Sequence, residues 1–164
     1  TISLANKIAI MEYGSIAQVG TPQEVFQRPK SEFVALFIGV KNFFYGKLDS
    51  PDRETTDSSK TKSFITDNLS ISVHTDHMPG FGNVSIGSDE IIIANKKPSS
   101  SARNIFKGTV KDISNARSGT EVLVDIGREI TVLITPESVV SMDLTCGSHV
   151  WIEFKATAVK FFPN

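Results

Sequence analysis

SARNIFKGTV (Ser101 to Val110), then ITPES (Ile134 to Ser138), a glycine turn at Gly147 and FKATAV (Phe154 to Val159) form the part of the chain that decides its fold. From Asn104 onward, short apolar runs at 104–113, 121–126, 129–134, 149–154 and 159–162 are separated by glycine and polar residues. Runs of this length and spacing predict β-strands. Thr135 before Pro136 predicts a capped short helix over 136–142 that interrupts them. Five strands with one short helix is the pattern of an OB-like barrel, so the fold is expected to be mainly β.

Two cations in this segment stand among hydroxyls and small residues: Ser101, Ala102, Arg103 and Asn104, then Lys155, Ala156 and Thr157. Arg103 offers a rigid fork of donors to an oxyanion and Lys155 a point charge. Ser101, Thr157 and nearby backbone amides can complete a shell around a tetrahedral anion. Such a site holds an anion and does no chemistry on it. On composition alone, Arg103 and Lys155 read as ordinary surface charges at strand ends; the order of the motifs reverses that reading.

That order resembles the oxyanion-binding Mop (TOBE) regulatory domain of the molbindin family, through roughly the last 65 residues of the chain. A second resemblance lies at the other end. LANKIAIMEYGSIAQVGTPQEVFQRPKSEFVALFIG (Leu4 to Gly39) is similar to the closing segment of the ATP-binding subunit of an ABC importer. The combination is similar to the ATPase subunits of molybdate/tungstate importers. It implies three parts: an ATPase tail at 1–41, a β-rich first part of the regulatory domain at 42–98, and the oxyanion-binding domain at 99–164. It also implies that Ser101, Ala102, Arg103, Asn104, Lys155, Ala156 and Thr157 hold the anion. Thr135 would add its hydroxyl to an oxyanion held by the neighbouring unit. Thr135 is also an obvious helix cap, contributing roughly 1 kcal/mol, and cannot fully serve both roles. Asn104 either orients Arg103 or satisfies a strand-end backbone group.

Several motifs of an ATPase are missing from the sequence. It has no GxxxxGK[ST] phosphate loop, no LSGGQ-like signature and no apolar strand ending in an Asp-Glu pair. Hydrolysis of ATP by this chain alone is therefore not expected, and the chain reads as a fragment of a longer subunit. ATP and magnesium would belong to that full-length subunit, and no cofactor is expected here beyond molybdate or tungstate as ligand. A net charge of −1 over 164 residues provides no basic field for nucleic acid. The longest apolar run, Phe33 to Val40, is far too short to span a bilayer. Cys146 is the only cysteine, which excludes an internal disulfide and suits a reducing compartment.

Towards the N-terminus, runs at 7–11 and 15–19 around Glu12, Tyr13 and Gly14 predict a hairpin. Thr21-Pro22-Gln23-Glu24 has the spacing of a capping box and opens a helix ending by Pro29. Ser31 can cap the next helix, with Phe33, Val34, Phe37 and Ile38 on one face and Gly39 at its end. Exposed aromatics are expected on these helices, whose packing partner would be the nucleotide-binding core. Strands follow at 43–48, 64–65, 69–73, 83–86 and 90–94. The polar stretch 49–63 is expected to be a mobile hairpin loop.

His74, Asp76 and His77 have ligand chemistry for a metal. They lead straight into Met78-Pro79-Gly80, so a solvated turn is the better reading and no metal site is expected. Gly108, Gly119, Gly127 and Gly147 do not fit a dinucleotide fingerprint and read as turns or strand kinks. Neither a second SARN nor a second KAT occurs in 43–94, so one Mop-type copy is expected. In the family such sites lie between two units. The resemblance then implies a homodimer through the regulatory domain, permease subunits as further partners, and a cytoplasmic location at the inner face of the cell membrane.

Overall fold

β1 (Ile8–Glu12) and β2 (Ser15–Gly20) pair antiparallel, turned by Tyr13 and Gly14, both at positive φ. The computed structural model to which they belong describes residues 6–49 and 60–164. Thr21 then caps α1 (Pro22–Gln27) in the expected box: Glu24 N–H donates to Thr21 Oγ1 at 3.2 Å, and Thr21 N–H donates to Glu24 Oε2 at 2.8 Å. That backbone bond is the main reason the Glu24 carboxyl sits below its usual pKa. Ser31 caps α2 (Glu32–Phe37) by accepting from Val34 N–H at 3.2 Å, and Gly39, at φ +90°, ends it. Ile10, Val25 and Val34 form a small core of their own. Phe26 and Phe37 remain 56% and 69% exposed, the uncovered aromatics expected of this appendage.

The rest of the chain runs through one series of elements twice. The first series is β3 (Asn42–Asp49), β4 (Thr61–Thr66), β5 (Leu69–His74), β6 (Gly80–Ile86), a 3-10 turn at Ser88–Glu90 and β7 (Ile92–Ala94). The second is β8 (Asn104–Ala116), β9 (Gly119–Asp125), β10 (Glu129–Ile134), β11 (His149–Phe154), a 3-10 turn at Ala156–Ala158 and β12 (Val159–Pro163). Between its third and fourth strands the second series adds α3 (Pro136–Ser141). The mainly β architecture is as expected. The reading of one copy per chain is corrected: the backbone repeats, although the SARN and KAT side chains do not.

Each series gives four strands to its own sheet and its fifth to the other. The two five-stranded antiparallel sheets run β12-β6-β3-β4-β5 and β10-β9-β8-β11-β7. Alternation along the strands turns Leu48, Phe64, Ile71 and Val84 of one sheet towards Val122, Val124, Ile130 and Ile152 of the other, in one continuous core. β4 is longer than the 64–65 apolar pair suggests. Its polar start, Thr61 to Ser63, is held by the ladder to β5, with Thr61 opposite His74. The rest of the expected loop, 50–59, lies outside the described residues.

Two asparagines repeat with the strands. Asn42 opens β3 and reaches across to edge strand β10: its Nδ2 donates to Thr131 O at 2.8 Å and its Oδ1 accepts from Thr131 N–H at 2.7 Å. Asn104 opens β8 and does the same to edge strand β5. Its Nδ2 donates to Ser72 O at 2.9 Å, and its Oδ1 accepts from Ser72 N–H at 2.7 Å. Each amide thus stands in for one residue of a missing neighbouring strand and satisfies a backbone pair that the sheet edge leaves free.

Close approach explains a second repeated residue. A Cβ on Gly46 would lie 2.2 Å from Ile65 O, and one on Gly108 would lie 2.6 Å from Val124 Cγ1. Gly46→Ala, meeting backbone, should lower stability by ~1 to 3 kcal/mol. A denaturation midpoint unchanged from wild type would contradict the close strand packing.

Candidate functional site

The ladder between β8 and β11 ends on the pair Asn104 and Phe154. Arg103 and Lys155 are the next residues outward on the two strands, so both leave the sheet at the same end. Both are exposed, and neither forms an ion pair among the described residues. Ser101, Ala102, Lys155 and Thr157 border one cavity of about 380 Å3. Ala156, 8% exposed, is the small buried residue of the turn that presents Thr157.

Glu153 also borders this cavity, and sequence reasoning missed it. Its side chain is almost buried; the Ser100 hydroxyl donates to Glu153 Oε2 and accepts from Ala102 N–H at 3.1 Å. This chain of bonds ties the loop before Arg103 to β11. Alternation along HVWIEF puts Glu153 on the face opposite Val150, Ile152 and Phe154, so the local pattern marks it as a surface charge and gives no signal of its burial. A second carboxylate, Glu90, borders the same cavity, while Arg103 lies outside its lining. Within one chain the cavity itself therefore carries Lys155 against two acids.

The remaining expected residues have other partners. Asn104 is buried and bonded to Ser72, so it locks two sheets together and does not orient Arg103. Thr135 accepts from Ser138 N–H at 3.2 Å as the cap of α3. Its strand, β10, ends with Ile134 opposite Thr120, which pairs with Asn115 near the far end of β8. Thr135 and Arg103 are thus at opposite ends of β8, and one chain does not bring them together.

The first series has its own equivalent of the Arg103 and Lys155 end. Asn42 pairs with Ile86, so Lys41 and Gly87 occupy those two positions. Around them lies a cleft of about 700 Å3 that also holds Asp89 and Glu90, bordered on one side by Phe26 to Pro29 of the α1–α2 connection. A carboxylate, Asp89, stands here where the other end has the Thr157 hydroxyl.

The histidine turn has separate contacts for each member. Asp76 pairs with Lys60 at 2.9 Å, and the Lys60 hydrogen bond and charge hold its carboxyl below the usual range. His74 Nδ1 is 3.4 Å from Thr61 Oγ1, and the His77 ring meets Phe161 edge-on at 5.8 Å. Among the described residues no group of three or more potential ligands is arranged around a metal position. No helix among them is long and apolar enough to cross a membrane.

The chain is similar to known proteins in sequence and in fold. The chain is 30% identical over 163 residues to the molybdate/tungstate import ATP-binding protein of Pyrococcus horikoshii, covering 99% of this chain and 44% of that protein. It therefore spans less than half the length of that relative. A segment of 47 residues, 29% of the chain and 12% of the relative, is 53% identical to the spermidine/putrescine import ATP-binding protein of Trichormus variabilis. The fold is similar to that of the cytoplasmic molybdate-binding protein ModG solved with molybdate bound. The TM-score is 0.63 over 77% of this chain and 98% of that chain, at 20% identity. Residues 100–161 match the TOBE domain family. The chain thus carries a TOBE domain and is a homologue of the C-terminal region of the molybdate/tungstate import ATP-binding proteins.

Proposed function

We propose that this chain is the oxyanion-sensing regulatory region of a molybdate or tungstate importer ATPase. The observation that carries the proposal is the shared strand end at Asn104 and Phe154, which sets Arg103 beside the Lys155 to Thr157 turn. Ser101, Arg103, Lys155 and Thr157 would grip a tetrahedral dianion. Thr135 would come from a second chain, because its own lies at the other end of β8. The partner would supply the closure that a cavity containing Glu90 and Glu153 lacks on its own.

Regulation follows from that division. An anion held between two chains binds only their paired arrangement and so favours it over others. Oxyanion accumulating in the cytoplasm would hold the regulatory domains together and bias the attached ATPase domains away from closing on ATP. The whole subunit would work with permease subunits at the inner face of the membrane, with ATP hydrolysis residing outside this chain.

Calorimetric titration with molybdate, tungstate, sulfate and phosphate tests the reading. Molybdate or tungstate should bind. Arg103→Ala should weaken that binding at least tenfold, because each lost charge-assisted bond contributes ~1.5 to 3 kcal/mol. Thr135→Ala removes a neutral bond of roughly 1 kcal/mol and should cost less. Equal affinity in wild type and Arg103→Ala would place the site elsewhere. No heat with any oxyanion would point to the regulatory domain of an importer for another substrate.

A further inference from the structure

A third cavity, of about 800 Å3, lies where the α1–α2 connection meets β5 and β12. Its volume is within the roughly 300 to 1,000 Å3 range of small-molecule sites. Arg28, Lys30 and Lys160 border it, together with the rings of His74 and His77, and no Asp or Glu does. The three cations have no ion pair among the described residues. Arg28 and Lys160 also border the adjoining cleft with Asp89 and Glu90, yet pair with neither. Asp76, between the two histidines in sequence, is taken by Lys60 and is absent from the lining.

Of the apolar residues in the lining, Pro29, Val159 and Phe161 are buried, while the half-buried Phe162 lies on the same face of β12 as Lys160. The walls are held in place by backbone contacts. Gln18 fixes the α1–α2 connection, its Nε2 donating to Arg28 O at 3.1 Å and its Oε1 accepting from Lys30 N–H at 2.8 Å. Lys62 Nζ donates to the carbonyl of His77 and so holds the histidine turn. Asn83 Nδ2 donates to Asn164 Oδ1 at 3.4 Å, and both residues border the cavity.

A cavity that sets unpaired cations beside the Phe162 ring suits a ligand that is anionic at one end and flat and apolar at the other. From this we infer that the cavity between the α1–α2 connection and β12 binds a phosphate monoester carried on a flat ring system. It shares Thr157 with the Arg103 and Lys155 end but none of that end's cations, and it does not rest on the reading of that end. A dianionic phosphate matches the density of positive charge better than a carboxylate does, and the Phe162 ring gives the ring system a surface to lie against.

The test is calorimetry with the 164-residue chain and the probes AMP and FMN, with adenosine, riboflavin and inorganic phosphate as the matching halves. At least one of AMP and FMN should bind at submillimolar concentration, with its uncharged half and free phosphate each at least tenfold weaker. Arg28→Ala combined with Lys160→Ala should weaken the bound probe tenfold or more, since each lost charge-assisted bond is worth roughly that factor. Truncating both side chains leaves the backbone bonds of Arg28 in place, and an unchanged thermal midpoint confirms that the double variant folds. Failure of both probes to bind at millimolar concentration would overturn the inference. So would affinity that survives the double substitution, or an uncharged half that binds as tightly as its phosphate.

Discussion

Saturating molybdate should tighten self-association of this chain roughly a hundredfold for each site the two chains share. The expectation follows from where β10 ends. Thr135 lies at the far end of β8 from Arg103, so an anion touching both must bridge two chains. A ligand that binds the pair and not the single chain must favour the pair by mass action. At about 100 times its dissociation constant the gain is near 2.7 kcal/mol per site. Sulfate, being smaller, should fill the same space poorly and act much more weakly. Sedimentation across a protein dilution series, with and without each anion, measures the constant directly. A monomer–dimer constant unmoved by saturating molybdate would remove the shared site and the feedback built on it.

Asn42→Ala should lower the free energy of unfolding by about 3 kcal/mol. The wild-type amide is fully buried and exchanges two hydrogen bonds with Thr131, with a further contact from Nδ2 to Ile86 O at 3.3 Å. Alanine leaves the N–H and C=O of Thr131 on an edge strand without partners, at ~1 to 3 kcal/mol for each unsatisfied group. Asn42→Asp should also destabilise, because an oxygen would then face the carbonyl of Thr131 where Nδ2 now donates. Chemical denaturation monitored by circular dichroism reads both. A loss below 1 kcal/mol for Asn42→Ala would mean that water replaces the amide and that the edge needs no clamp.

Much of this architecture is legible in the sequence where the determinants are local. Thr21-Pro22-Gln23-Glu24 specifies a capping box within one turn of chain, and Thr135-Pro136 specifies the start of α3. Alternation in Glu121 to Asp125 is enough to predict β9. The duplication was hidden because the residues that announce a site changed: Arg103 has Lys41 as its counterpart, and Lys155 has Gly87. What persisted is structural, namely Asn42 with Asn104, Phe44 with Phe106, and Gly46 with Gly108. Read together, Asn-x-Phe-x-Gly at both places is the trace of the repeat. The exchange of β7 and β12 leaves no such trace, since either strand would look the same in its own sheet. At the oxyanion end, Arg103 and Lys155 were recognisable from their motifs. The buried role of Asn104 and the tether through Glu153 depend on partners distant in sequence, Ser72 and Ser100.

The traded fifth strands also set an order of events on the ribosome. β6 has β3 on one side from the start, but its other side is filled only by β12. Until residues 159–163 have emerged, the first sheet presents an open ladder at β6, and such edges recruit stray strands. The second sheet waits for nothing later than β11, because β7 is already made. The nascent chain therefore completes its later sheet no later than its earlier one, and a ribosome stalled before β12 would release a product prone to aggregate.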